Sequence, residues 1–167
     1  MMIDNFQTDL AWGKQGEEIV LNVLSALRSD LTFVDVSNDY RYYHNGDIAA
    51  IDKKTDKIYF IEVKNDSRIA DTGNILCEDE VYYKRHDYSA RGNMYNNTDI
   101  YAIVSKKEKK IYFIDFKILQ KNYTLGEFRK MDYPQQYSYV FLLPLGTIKK
   151  LGGLLAVVNY DEIAVAA

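Results

Sequence analysis

The sequence predicts an α/β (α+β) fold with a mixed central sheet flanked by helices. Three observations point to it. The first long segment repeats apolar residues at three- and four-residue spacing. Short apolar or alternating runs follow, separated by turn residues. Helical stretches then interleave with strands toward the C-terminus. At 167 residues, with 47% hydrophobic and 27% charged residues, the chain has the length and composition of one globular domain. A single domain over residues 1–167 is expected.

The opening helix is expected from about Leu10 to Leu27, because Val20, Val23, Leu24 and Leu27 share one face. Gly13 and Gly16 weaken its first turns by roughly 1 kcal/mol each relative to alanine, so close packing should compensate. Leu31–Val36 reads as a strand. Asp47–Ile51 and Ile58–Lys64 read as a hairpin closed by the polar stretch DKKTDK. Arg68–Asn74 reads as a loop with Gly73 as its turn residue, Ile75–Cys77 as a short extended piece, and Glu80–Tyr88 fits no one element. Ile100–Ser105 and Ile111–Phe116 form a second hairpin around KKEKK. A short helix near Phe116–Lys121, a strand Tyr137–Leu143, a helix Pro144–Leu151 and a strand Leu154–Val158 complete the order.

Composition removes several functional classes. Cys77 is the only cysteine, which excludes an intramolecular disulfide and a cysteine-based zinc cluster. The N-terminus has no basic region followed by an apolar core, and the runs YVFLL and LLAVV are too short to span a bilayer. A cytoplasmic protein without a membrane partner is expected. A net charge of −3 argues against nucleic-acid binding through bulk charge and leaves room for a local basic groove.

The chemistry concentrates in one hairpin. Ile58, Phe60, Glu62 and Lys64 share one face of their strand. An acid and a lysine at the end of a mostly apolar strand are costly to bury without partners. A turn centred between Lys54 and Thr55 pairs Ile51 with Ile58 and sets Asp47 opposite Glu62, with Cβ atoms roughly 4.5–5.5 Å apart. Two carboxylates at that spacing repel unless a proton or cation lies between them. Mg²⁺ suits two carboxylates, a backbone carbonyl and waters. On the first helix Glu17 lies near the edge of the apolar stripe while Glu18 points away, so Glu17 is the candidate third acid.

Gly16-Glu17, Gly46-Asp47 and Glu62-Val63-Lys64, in that order, resemble the pattern of the PD-(D/E)XK nuclease superfamily. That superfamily includes restriction endonucleases, Holliday-junction resolvases and many phage nucleases. Gly46 replaces the usual proline before the aspartate. Asp71-Thr72-Gly73-Asn74 leading to Glu78, and Thr98-Asp99, look like a phage-type subgroup. The resemblance covers about Gly13 to Ile114 and implies a restriction endonuclease-like core. It further implies a metal-dependent endonuclease that hydrolyses DNA phosphodiester bonds to 5′-phosphate and 3′-hydroxyl products. Asp47, Glu62, the Val63 carbonyl and Glu17 would hold Mg²⁺, with Mn²⁺ substituting, Lys64 would position the attacking water, and Glu78 is an additional acid. The alternative is a catalytically inactive nuclease-like domain that binds DNA or a protein partner. A homodimer is compatible with paired cuts.

Other residues carry weaker signals. Tyr42, Tyr43, Tyr82, Tyr83, Tyr88 and Tyr95 lie among Arg41, Lys84, Arg85 and Arg91, where they can stack bases and contact phosphates or simply half-bury in strands. The segment Ser89–Asn97 reads as a substrate-covering loop or an ordinary connection. His44, His86 and Glu80 read as surface residues, and KKEKK as a solvated turn.

Overall fold

The structure, a computed structural model, describes residues 3–163. The helix α1 (Ile3–Leu27) opens the chain and starts earlier than the apolar stripe alone suggests. Strands β1 (Leu31–Asp35), β2 (Ile48–Asp52) and β3 (Ile58–Asn65) follow as an antiparallel meander. The chain then makes a short helix, α2 (Ile69–Thr72), and a hairpin of β4 (Asn74–Tyr83) and β5 (Tyr88–Arg91). A second hairpin joins β6 (Ile100–Ser105) and β7 (Lys110–Asp115) and leads into α3 (Phe116–Asn122). The last elements are β8 (Glu127–Asp132), β9 (Gln136–Pro144), α4 (Leu145–Lys150) and β10 (Leu154–Asn159). No described helix is long and apolar enough to cross a membrane.

Two sheets result. The central one is mixed, in the order β1-β2-β3-β6-β7-β10, and β3 and β6 are its parallel pair. The second, β5-β4-β9-β8, is antiparallel throughout. The expected mixed sheet flanked by helices is present, and the second sheet is an addition to it.

Alternation along the central strands builds two cores. Ile61, Val63, Ala102, Val104 and Phe113 face α1, whose Val20 and Val23 are buried against them. The intervening residues Tyr101, Ile103 and Ile114 face the other way. They pack on Ile75, Cys77 and Leu143 of the second sheet and on Phe116, Leu119 and Ile148 of α3 and α4. Burial on both faces explains why β3, β6 and β7 read as near-continuous apolar runs. Glu62 and Lys64 belong to the second set by position, so the fold aims an acid and a lysine into the seam between the sheets.

Several local expectations change. The segment read as a loop at Arg68–Asn74 contains α2, closed by Gly73 in the left-handed region at φ 65°. The short extended piece at Ile75–Cys77 is the middle of a ten-residue strand. Ser89–Arg91 of the presumed loop pairs as β5, and Asn93–Tyr95 form a single 3₁₀ turn. β8 gave no strand signal because nearly all its residues are exposed, and its pairing with β9 rather than burial holds it. The compensation expected for the helix glycines is found at one of them. A Cβ at Gly16 would lie 2.5 Å from Asn65 Oδ1, so the bare backbone makes room for the Asn65 side chain, while Gly13 has nothing within 4 Å.

Candidate active site

Asp47 is set by a break in the ladder. The β2–β3 pairing follows the expected register, with Ile51 opposite Ile58, and its last pair is Ile48 with Ile61. There the chain departs from the expected register: the Asp47 amide donates to the Ile61 carbonyl at 2.9 Å instead of lying in a continued ladder opposite Glu62. Gly46 makes the approach possible. It has φ +144°, and a Cβ there would stand 2.7 Å from the Ile61 carbonyl oxygen. Thr98 holds the same turn, and Asp99 holds the neighbouring strand β3. The Thr98 hydroxyl donates to the Asn45 carbonyl, and the Asp99 carboxylate accepts from the Phe60 amide at 2.8 Å. The Asn97 amide donates to the His44 carbonyl at 2.7 Å. Of the two residues singled out by the phage-type resemblance, Thr98 therefore positions the segment that carries Asp47, and Asp99 anchors β3 beside it.

The freed end of β3 meets the Asp47 side chain. Val63 N–H donates to Asp47 Oδ2 at 2.8 Å. Within a strand a residue's N–H and C=O point to the same side. The Val63 carbonyl therefore also points to the Asp47 side, beyond the last β2–β3 pair. Glu62 is 7% exposed and pairs with Lys64 at 2.9 Å. The Lys64 side chain is 44% exposed along its length. Crowding around its ammonium pulls its pKa down, but the charges of Glu62, Asp47 and Glu78 outweigh that and leave it raised.

The electrostatics mark the pair. Burial, reinforced by the Glu62 charge, pushes the Asp47 carboxyl up to about 7, against the pull of the Val63 amide and Lys64. Glu78 lies across the seam on β4. Burial raises its pKa too, in spite of Lys64 nearby and a Ser138 hydroxyl donating to Oε2 at 3.3 Å. The Asn93 side chain ties this wall together: its Oδ1 accepts from the Glu78 amide at 3.2 Å and its Nδ2 donates to the Tyr101 hydroxyl at 2.9 Å. The cleft beside them has a volume of about 350 Å³, with Lys64, Glu78, Asn93 and Tyr101 on its walls.

The sequence-derived residues divide accordingly. Asp47, Glu62, Val63, Lys64 and Glu78 come together. Glu17 leans inward at 16% side-chain exposure while Glu18 is exposed, and its charge is felt at Asp47. Its carboxylate is nevertheless taken up by Lys14 at 2.9 Å. Among the described residues no three His, Cys, Asp or Glu side chains form a ready-made metal cluster. The donor set on offer is two carboxylates and one strand-end carbonyl. It fits a hard cation such as Mg²⁺, which keeps several waters and takes only one or two protein carboxylates.

Asp47 and Glu62 stand behind Lys64 and do not themselves line this cleft, and the weaker nucleic-acid candidates lie outside its lining as well. Arg41 is paired with Asp39 at 2.5 Å, Lys84 with Asp132, and the Arg91 guanidinium lies 4.9 Å from the Tyr95 ring centre. Tyr43 is 77% exposed. Arg85, His44 and His86 are exposed as well. Arg68 and Met131, which do line the cleft, went unnoticed in the sequence. α2 carries no apolar periodicity and β8 no alternation, so no local signal marked either residue.

No family model matches this chain, and no curated protein matches it. Among solved structures it is similar to a bacterial homing endonuclease, with 12% identity and a TM-score of 0.47 over 75% of this chain and 74% of that one. It is also similar to a nuclease from a fusselovirus, with 12% identity and a TM-score of 0.40 over 85% of this chain and 84% of that one.

Proposed function

We propose that this protein is a Mg²⁺-dependent nuclease that hydrolyses phosphodiester bonds in DNA, with Asp47, Glu62 and Lys64 as its reacting centre. The observation that supports this reading is the Asp47–Glu62 pair. The fold holds two carboxylates together at a ladder break, at a cost visible as the raised Asp47 pKa, and sets Lys64 against them in return. A packing role needs no such pair, since apolar residues of the same volume would serve better.

The chain's own residues do the following. Asp47, oriented by the Val63 amide, and Glu62 would hold the divalent ion with the Val63 carbonyl. When bound, that ion lowers the pKa of a coordinated water and neutralises charge on the scissile phosphate. The Lys64 ammonium orients the attacking water and stabilises the charge that grows on the phosphoryl oxygens. Glu62, 2.9 Å from that ammonium, keeps it protonated and fixed in place. Glu78, neutral over a wider pH range than an exposed glutamate, is placed across the cleft to donate a proton toward the leaving 3′-oxygen. Glu17 acts through the charge it places near Asp47 or through a water.

The test is cleavage of a labelled DNA mixture containing single strands, duplexes and branched junctions in Mg²⁺ and in Mn²⁺. Asp47→Ala and Glu62→Ala are each expected to lower the rate by at least a thousandfold while still unfolding in a single cooperative transition well above the assay temperature. Metal-dependent cleavage retained in both variants, or absent from the wild type on every substrate, would refute the proposal. The second reading, a non-cutting nuclease-like binding domain, predicts that last result together with DNA binding.

A further inference from the structure

The cleft beside Lys64 does not end at Glu78. A second cavity of about 260 Å³ continues it, and the two share Asp66, Arg68, Leu76 and Met131. The trough runs along β4 from Glu78 to Asn74, roughly 14 Å at strand spacing, a length of about four nucleotides at duplex rise and fewer when extended. Its two ends differ. One holds Lys64 and Glu78, next to the Asp47–Glu62 pair. The other is cationic, with Arg68, Arg129 and Lys130. Between them one wall is apolar, with Leu76, Ile103, Met131 and the Tyr133 ring, and the other carries Asp66, whose carboxylate is taken up by the Arg68 and Ile69 amides at 2.8 and 3.2 Å.

Lys130 lies over the Tyr137 ring, 4.0 Å from its centre, while the two arginines can take a new partner. Arg68 is exposed and makes no ion pair among the described residues. Arg129 pairs with Glu127 at 2.7 Å, with both side chains more than half exposed, an arrangement of little net worth. A guanidinium in that position exchanges a carboxylate for a phosphate at small cost.

From this we infer that the trough takes an unpaired polynucleotide strand. One base lies on the apolar wall against Tyr133 and Met131, the next phosphates rest on Arg68 and Arg129, and the scissile phosphate falls at Lys64. The inference rests on the nuclease reading and names its substrate form. A duplex keeps its bases stacked inside and offers only phosphate edges, so it leaves a cavity of this size unfilled. An unpaired strand splays its bases out, and such bases pack on aromatic and apolar side chains.

The measurement is fluorescence anisotropy in Ca²⁺ with a labelled twelve-nucleotide single strand that has no self-complementarity and a blunt hairpin whose stem pairs that sequence with its complement. Wild type, Met131→Trp and the double variant Arg68→Ala/Arg129→Ala are compared. All three positions are at or near the surface, and unfolding midpoints verify folding. The single strand, as DNA or as RNA, is expected to bind at least tenfold more tightly than the hairpin. Met131→Trp, which fills the trough, should lose about tenfold on the single strand and leave the hairpin unchanged. The double variant should flatten the salt dependence of single-strand binding by about 1.4 in log–log slope, about 0.7 for each lost phosphate contact. Equal or tighter binding of the hairpin, or no effect of Met131→Trp, overturns the inference. A wild type that cuts only duplexes also overturns it and leaves the nuclease reading intact. Single-strand binding that responds to Met131→Trp without cleavage in any metal supports the trough and refutes the nuclease reading.

Discussion

Replacing Asp47 by asparagine is expected to make the metal-free protein more stable at pH 8. In an unfolded chain this carboxyl titrates near 3.8, and in the folded protein burial and Glu62 raise it to about 7. Below about pH 4 it is protonated in both states and contributes nothing. Between pH 4 and 7 the folded state holds a proton that the unfolded state has lost, so stability falls as pH rises. Above pH 7 the whole penalty is present, at most about 4 kcal/mol. Asparagine keeps an oxygen for the Val63 amide and carries no charge. Its NH₂ group needs a new partner, which costs about 1 kcal/mol. The expected net gain at pH 8 is about 2–3 kcal/mol, read as a higher urea midpoint or a melting temperature raised by roughly 5–10 °C. The pH dependence isolates the cause. Between pH 8 and pH 5 the advantage of Asp47→Asn over wild type should shrink by about 2–3 kcal/mol, because the amide cost cancels and only the titration remains. Urea denaturation of both proteins at the two pH values in EDTA measures it. A variant less stable than wild type at pH 8, or an advantage unchanged at pH 5, would refute the reasoning.

Three further outcomes follow from the geometry. Gly46→Ala should cost about 2–3 kcal/mol in urea denaturation and weaken divalent-ion binding, because the added Cβ meets the Ile61 carbonyl at φ +144°. Gly13→Ala should stabilise by about 0.5–1 kcal/mol, since nothing lies within 4 Å of the added methyl, whereas Gly16→Ala should destabilise by pushing on Asn65. Thr98→Val should lower stability by about 1 kcal/mol through the lost bond to the Asn45 carbonyl and reduce cleavage more than stability accounts for, because it loosens the segment leading into Asp47; equal effects on both would remove its positioning role.

The central hairpin was legible because its signals are local. Alternation fixed the faces of Ile58–Asn65, and the turn at Lys54 fixed the pairing of Ile51 with Ile58. The stripe of Val20 and Val23 likewise separated Glu17 from Glu18 correctly. What stayed hidden depends on contacts far apart in sequence. The slip at Asp47 is set by Gly46 against Ile61 and by Thr98 against Asn45, and neither leaves a periodic trace. Lys14 holding Glu17 while also reaching Asp35 and Ser37 is invisible without the fold. The second sheet is the largest gap. β8 pairs with β9 through EFRKMD, a sequence with neither alternation nor a buried face, so the trough that it walls had no sequence signature.

The most direct measurement is calorimetric titration of the wild-type protein and Asp47→Ala with Mn²⁺ at pH 8 and pH 5.5. The wild type should bind saturably at pH 8 and at least tenfold more weakly at pH 5.5, where the ion must first displace the Asp47 proton, and Asp47→Ala should bind at neither pH. Equal binding by the variant and the wild type, or a wild type that takes up no ion at pH 8, would contradict the assignment of the carboxylate pair as a metal site.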